Sequence, residues 1–154
     1  LHGLSQRGGS VEVHIRFGRK IWSPLVREGR ADIIISLEAQ ESLRVAHYGS
    51  EETSFLINDN FIPIPDHSLL TPQQILQNLK KISKKIFLIP ASAVCQKELG
   101  NDVVSGIYLL GYAAFKNLIP LKSVSIITAI EEIVPEKYLE INKKAFEMAK
   151  NHEK

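Results

Sequence analysis

Three short apolar runs, separated by helical patterns, constrain the fold more than any other feature of this sequence. The runs are Ile33-Ile34-Ile35, Phe55-Leu56-Ile57 and Ile86 to Ile89. Short β-branched or aromatic runs without polar alternation are typical of strands that are covered on both faces. Helical patterns over 38–48 and 71–83 lie between them. Strands that alternate with helices predict a mostly parallel sheet with helices on its faces.

The remaining elements are predicted from local signals. Thr71 suits an N-cap, Pro72 the first helical position, and Gln74 can close a capping box. After Pro90 the pattern is helical, with segments over 91–99, 103–116, 122–134 and 136–150. Gly106 and Gly111 would weaken the second of these helices, so we expect them to allow close packing rather than to contact a ligand.

The stretch from Ser10 to Phe17 alternates strictly and predicts a half-buried strand. One side carries Val11, Val13, Ile15 and Phe17, and the other carries Glu12, His14 and Arg16. Residues 18–20 form a predicted turn, and 21–23 return as the second strand of an antiparallel hairpin. We therefore predict a three-layer α/β/α fold with a mostly parallel sheet, an antiparallel N-terminal hairpin and a helical C-terminal part, in one domain over 1–154.

Composition excludes several classes of protein. The net charge of +2 is small, and the basic run at 80–85 is interpreted as a solvated helix end, so nucleic acid is not an expected partner. No run reaches ~18 apolar residues, so no membrane span or membrane partner is expected. The single cysteine, Cys95, allows neither an internal disulfide nor a cluster held by several thiolates, and fits a cytoplasmic protein.

The most unusual segment is the glycine-rich stretch from Gly3 to Ser10. It places Ser5, Gln6, Arg7, Gly8 and Gly9 immediately before the alternating stretch. Such a loop can aim successive N–H groups at one anion, and an arginine can clamp phosphate or carboxylate. Taken alone, the segment is at least as compatible with a plain flexible loop.

The chain resembles the gamma-type domain of 2-oxoacid:ferredoxin oxidoreductases. The resemblance starts at the 2–10 segment, continues through 14–18, Ser23-Pro24 and Gly29 to Asp32, and covers essentially the whole chain. Weaker matches are Glu38 to Glu41, Asn58, Asn101 to Gly111, Asn142 and Lys144 to Phe146. The run from Glu98 to Asn101 and the final helix look most like the small (beta) subunit of indolepyruvate ferredoxin oxidoreductase.

One departure concerns the start of the domain. Members of this family open with a strand, a glycine-rich loop and a helix before the His-Gly segment, and this sequence does not show them. Without that unit the sheet would lose a strand, and the domain would lose a turn suited to face a phosphate.

The resemblance implies a function that depends on a partner. In this family thiamine diphosphate, Mg²⁺ and iron–sulfur clusters belong mainly to a larger subunit, the 2-oxoacid is oxidatively decarboxylated to an acyl-coenzyme A, and ferredoxin takes the electrons. This chain would bind no cofactor alone and be inactive alone, and exposed apolar surface would favour homo-oligomers when it is isolated. Alternatives are the gamma subunit of a pyruvate or other 2-oxoacid enzyme, a stand-alone module for coenzyme A or another nucleotide, and a purely structural subunit.

The resemblance also directs the site prediction. We expect Ser5, Gln6, Arg7, Gly8 and Gly9 to face the partner's active site and to contact an anion such as coenzyme A. Arg16 is either a second contact of this kind or an ordinary solvent-facing charge. Trp22 either anchors a subunit interface or packs in the core. The five histidines lack metal-ligand spacing, Cys95 is expected to be buried and inert, and no catalytic residue is predicted.

Overall fold

A computed structural model describes residues 10–62 and 70–152, and its strands and helices follow the predicted order. The strands are β1 (Ile33–Ser36), β2 (Ser54–Asn58) and β3 (Ile86–Ile89). The helices are α1 (Glu41–Arg44), α2 (Pro72–Lys80), α3 (Ala91–Leu99), α4 (Ser105–Phe115), α5 (Ser123–Ile133) and α6 (Glu136–Met148). Two 3₁₀ turns, Ala46–Tyr48 and Ala149–Asn151, follow α1 and α6.

The sheet has three parallel strands in the order β1-β2-β3. Phe55 pairs with Ile34 on one side and with Ile86 on the other. Because side chains alternate along a strand, Leu56 enters the core under α3 and α4, whereas Phe55 and Ile57 enter the core under α2. The predicted α/β fold with a parallel sheet and helices on both faces is therefore confirmed.

The central strand β2 is the anchor of both cores. Phe55, Leu56 and Ile57 are completely buried. Leu56 packs with Cys95 and Leu109, while the opposite face packs against α2. A third apolar cluster joins α4, α5 and α6 through Ala114, Ile126, Ile130 and Phe146. The helical C-terminal part thus covers one face of the sheet and extends beyond it.

Helix α2 begins as predicted. The Gln74 N–H donates to Thr71 Oγ1 at 3.3 Å, and the Thr71 N–H donates to Gln74 Oε1 at 2.8 Å, which completes the capping box. The helix ends at Lys80 instead of Ser83. Ser83 is buried and its hydroxyl donates to the Thr53 carbonyl at 2.7 Å, so it connects the end of the helix to the sheet.

The predicted helix over 38–48 is interrupted. Glu38 accepts the Glu41 N–H at 3.0 Å, so regular helix starts only at Glu41. Val45 has φ −98° and ψ 4°, outside the helical range, and a 3₁₀ turn follows. Gly49 then lies so close to the Phe55 ring that a Cβ would be 2.6 Å from Cζ. The chain must turn there to reach β2, and packing against Phe55 outweighs the helical pattern.

The prediction of an antiparallel N-terminal hairpin is wrong for this structure. Residues 10–31 contain no strand. The half-buried apolar face is wrong as well, because Val13 and Ile15 are exposed whereas His14 is half-buried. A two-stranded ribbon is marginal without a third strand or a core beneath it. Here the polar side of the stretch contacts the body of the protein, and nothing in the described residues covers the apolar side.

Strand β1 is also less covered than its apolar run predicts. Ile34 and Ser36 are buried, but Ile35 is 39% exposed, because β1 is an edge strand of the described sheet. In the described ranges, the helices are all too short or too polar to cross a membrane. The single-domain assignment over 1–154 stays a prediction.

Candidate functional site

An open groove lies between the two arms of the N-terminal segment. Its volume is about 410 Å³. One arm contributes residues 14–16 and the returning arm residues 21–24. The lining residues are His14, Ile15, Arg16, Ile21, Trp22, Ser23 and Pro24. The groove therefore combines a guanidinium, an imidazole and an indole, which suit a ligand that is anionic and partly apolar.

Arg16 holds the two arms together. Its Nη1 donates to the Ser23 carbonyl at 2.6 Å and to the Leu25 carbonyl at 3.2 Å. Among the described residues, no carboxylate lies within ion-pair distance of Arg16. A guanidinium has five N–H donors, so these two bonds leave donors and the full charge for a further acceptor. Arg16 is exposed, and whether it contacts a ligand or is an ordinary solvent-facing charge stays a prediction.

His14 attaches the segment to the body of the protein. Its Nδ1 accepts the Val26 N–H at 2.9 Å, so the ring proton lies on Nε2, which donates to Glu12 Oε1 at 2.5 Å. The Tyr48 ring meets the imidazole edge to face at 4.8 Å. Hydrogen bonds from His14 and Tyr48 lower the pKa of Glu12, and the Glu12 carboxylate raises the pKa of Tyr48. Both nitrogens of His14 are thus engaged in structural bonds.

Trp22 lies at the outer edge of the groove. It is 81% exposed, and the Lys20 ammonium lies 4.2 Å from the ring centroid. The core-packing alternative for Trp22 is therefore wrong. An exposed indole beside a cation is typical of a residue that becomes covered on binding.

The predicted anion loop lies outside the described residues. Its members are Ser5, Gln6, Arg7, Gly8 and Gly9. The first described residue after it, Ser10, donates a hydrogen bond to the Glu41 carboxylate at the start of α1. Of the predicted site, the structure thus places Arg16 in the groove, and the role of the loop stays a prediction.

Comparison with known proteins identifies the family. The family model described as pyruvate ferredoxin/flavodoxin oxidoreductase matches residues 1–152. The chain belongs to this family. The predicted family and the predicted oxidoreductase class are both confirmed.

Two relatives show which members of this oxidoreductase family the chain is similar to. It is 32% identical to the indolepyruvate oxidoreductase subunit IorB of Archaeoglobus fulgidus, over 97% of this chain and 76% of the relative. It is 33% identical to the subunit of the same name from Thermococcus kodakarensis, over 96% of this chain and 76% of the relative. The similarity extends over nearly the whole sequence, as the resemblance implied.

A solved structure supports the fold of this family member. It is the gamma subunit of a keto/oxoacid ferredoxin oxidoreductase from Geobacter sulfurreducens, which superposes with a TM-score of 0.51 at 16% identity. The match covers 77% of this chain and 62% of the solved chain. The matched part of this chain therefore corresponds to about three fifths of that subunit, and the shared feature is the fold.

Other candidate groups of this oxidoreductase subunit are structural. Cys95 is completely buried, as expected, and burial raises the pKa of its thiol to about 11, which disfavours the reactive thiolate. Within residues 10–62 and 70–152, no three histidine, cysteine or acidic side chains converge as a metal site.

Sequence reasoning missed a second surface depression. It measures about 320 Å³ and is lined by Leu99, Lys144, Glu147, Met148 and Asn151. These residues come from the end of α3 and from the end of α6 with its 3₁₀ turn, about 45 positions apart. No local spacing signals such a juxtaposition, because it depends on how α6 packs.

Proposed function

We propose that this chain is the small, cluster-free subunit of a thiamine diphosphate-dependent indolepyruvate:ferredoxin oxidoreductase. The enzyme would oxidatively decarboxylate an aryl 2-oxoacid, transfer the acyl group to coenzyme A and pass the electrons to ferredoxin. The observation that carries the proposal is the 28–33% identity to four IorB subunits over at least 95% of the chain. The shared name of these four relatives is what favours an aryl 2-oxoacid as the substrate.

The scarcity of cysteine ligands in the sequence supports the assignment of the iron–sulfur clusters to another subunit. One cysteine in 154 residues cannot hold an iron–sulfur cluster of the usual thiolate type, and this one is buried. We therefore assign the clusters, thiamine diphosphate and Mg²⁺ to a larger subunit, with ferredoxin reached through the complex. Thiamine supplies the electron sink for decarboxylation, and protein groups supply orientation and electrostatics.

The contribution of this chain is proposed to be anion binding at the subunit boundary. Arg16 is held by two carbonyls and retains its charge, and the groove beside it is open to solvent. Ser5, Gln6, Arg7, Gly8 and Gly9 precede this segment, and their backbone donors and Arg7 would bind the phosphates of coenzyme A or the substrate carboxylate. A cytoplasmic location is part of this proposal.

Kinetics of the complex of this chain with the larger subunit test the anion role. Arg7→Ala should raise the KM for coenzyme A by about 10- to 100-fold, because a charge-assisted hydrogen bond contributes about 1.5–3 kcal/mol. Arg19→Ala removes an exposed cation that does not line the groove, and it should leave the KM within about twofold. An unchanged KM and turnover in Arg7→Ala would refute the anion role.

Substrate choice tests the rest of the proposal. The wild-type complex should reduce ferredoxin faster with indolepyruvate than with pyruvate at equal concentration. Faster turnover of pyruvate would instead assign the chain to the pyruvate branch of the family. A preparation that binds coenzyme A but never assembles with a larger subunit would favour the stand-alone binding module.

A further inference from the structure

The N-terminal segment presents large apolar side chains to solvent on the outer side of its anchoring residues. We call this set the apolar strip, and its members are Val13, Ile15, Phe17, Trp22 and Leu25. Each is more than half exposed, and Trp22 reaches 81%. Single exposed apolar residues are common, but five within thirteen positions of one segment are more typical of an interaction surface.

The structure keeps the strip exposed by holding the polar side of the segment against the body of the protein. His14 bonds to Val26 and packs on Tyr48, and Arg16 bonds to the returning arm. Side chains alternate along an extended chain, so residues 13, 15 and 17 must then point away. Rotation of the segment would bury these apolar side chains, but it would break the His14 and Arg16 bonds.

Among the described residues, the backbone groups of 11–22 form no hydrogen bonds with other backbone groups. Extended chain with unpaired N–H and C=O groups can pair with a strand or loop of another polypeptide. The apolar strip and its backbone thus both lack partners within the described protein.

The charge of the segment bears on whether a second copy of this chain or a dissimilar subunit covers the apolar strip. Residues 10–30 carry five basic and two acidic side chains, an excess of three positive charges against +2 for the whole chain. The basic residues are Arg16, Arg19, Lys20, Arg27 and Arg30. In a twofold dimer of this chain the same patch would meet itself, so these charges would repel across the interface. A dissimilar subunit with acidic residues around an apolar centre meets the patch without that penalty.

We propose that the apolar strip is the surface that docks the larger, dissimilar subunit of the enzyme, onto an apolar patch bordered by carboxylates. This inference rests on the proposed function, because that function requires such a subunit. It adds which residues bind it, and it places the groove at the subunit boundary.

Affinity measurements with the purified larger subunit test the docking surface. The double variant Val13→Asp/Phe17→Asp introduces carboxylates into the strip at positions that do not line the groove. We expect the Kd to rise more than about 100-fold, since central apolar contacts dominate interfaces and the new charges would face carboxylates. Phe17→Arg should weaken binding less than Phe17→Asp, because the border of the partner surface is acidic.

A matched control uses exposed apolar residues in the helical half. Val103 is 84% exposed and Ile133 is 78% exposed, and the double variant Val103→Asp/Ile133→Asp makes the same chemical change there. It should keep the wild-type Kd. Equal loss of affinity in both double variants, or no loss in the strip variant, would overturn the inference. Thermal unfolding of each isolated variant checks that both remain folded.

Two further outcomes separate this inference from the proposed function. If the wild-type complex turns over indolepyruvate and the strip variant assembles equally well, the docking surface is wrong and the proposed function stands. If no complex forms with wild type, the proposed function itself fails. Sedimentation that shows a wild-type dimer, abolished by the strip variant, would assign the surface to a second copy and refute the dissimilar partner.

Discussion

At the scale of single residues, Gly111 shows where helix packing excludes any side chain. It lies within α4 and faces α6, where a Cβ would be 2.5 Å from the Phe146 carbonyl oxygen and 3.1 Å from the Ala149 Cβ. Gly111→Ala should therefore reduce the free energy of unfolding by about 2 kcal/mol, because backbone must move to relieve the overlap. Chemical denaturation measures this change.

Gly106 is the matched control on the same helix. Its nearest neighbour to an added Cβ is Leu37 Cδ2 at 3.5 Å, an ordinary contact. Gly106→Ala should be neutral or stabilise the protein by up to about 1 kcal/mol, since alanine has the higher helix propensity. A loss of stability equal to that of Gly111→Ala would contradict the packing argument. The prediction that both glycines serve close packing is thus supported at Gly111 alone.

Asn58 is the residue that connects the carboxyl ends of the strands. It is 1% exposed, and its Nδ2 donates to the Leu37 carbonyl at 3.0 Å and to Ser92 Oγ at 2.8 Å, while its Oδ1 accepts the Ser92 N–H at 3.1 Å. Asn58→Ala leaves these groups without their partner and should cost about 3 kcal/mol.

The variant Asn60→Ala is the matched control for Asn58→Ala. The Asn60 side chain forms no hydrogen bond with the described residues, so its removal should change stability by less than about 0.5 kcal/mol. Equal unfolding free energies for the two variants would show that the Asn58 bonds add nothing. The resemblance to the family singled out Asn58, whereas its bonds to Leu37 and Ser92 are visible only in the folded chain.

At the scale of elements, a histidine fastens the C-terminal 3₁₀ turn to α4. Tyr108 Oη lies 2.8 Å from His152 Nδ1, and the His152 ring meets Tyr108 and Tyr112 edge to face. Burial and then the charge of Lys116 lower the pKa of His152, and burial raises the pKa of Tyr108 to about 12. The tyrosine therefore keeps its proton, and its hydroxyl donates a hydrogen bond to Nδ1 of a neutral imidazole.

This contact predicts a pH dependence with a definite sign. A histidine whose pKa is lowered on folding stabilises the protein fully above its unfolded pKa of 6.5, and the stabilisation is lost as the pH falls through the folded value. The free energy of unfolding should therefore decrease below pH 6.5 more steeply in wild type than in His152→Gln. Parallel pH profiles for the two proteins would contradict this assignment.

Helices whose ends are defined by local capping residues were the most predictable parts of the chain. Thr71 and Gln74 define the start of α2 through bonds between neighbours in sequence. Gly100 ends α3 with φ 67°, a conformation that glycine adopts without strain. The alternating stretch at 11–17 was mispredicted because alternation specifies that two faces differ, and does not specify which face has a partner.

At the scale of the whole molecule, hydrogen exchange reports the state of the N-terminal segment. Amides of 11–22 form no backbone hydrogen bonds among the described residues, so they should exchange rapidly in the isolated chain. In the complex with the larger subunit they should become protected, whereas amides of β2 should be protected in both states. Fast exchange of 11–22 in an assembled, active complex would argue against docking through this segment.

The sequence by itself identified the family through the motifs that it shares with it. It also determined the parallel order of strands and helices and the local caps, because these depend on periodicity and contacts between near neighbours. Tertiary structure alone decided that α1 is short, that Gly111 admits no side chain, and that the apolar side of the N-terminal segment faces outward. Those outcomes depend on contacts such as Gly49 with Phe55, Gly111 with Phe146, and His14 with Tyr48. Such contacts join residues distant in sequence, and their geometry exists only once the helices have packed on the sheet.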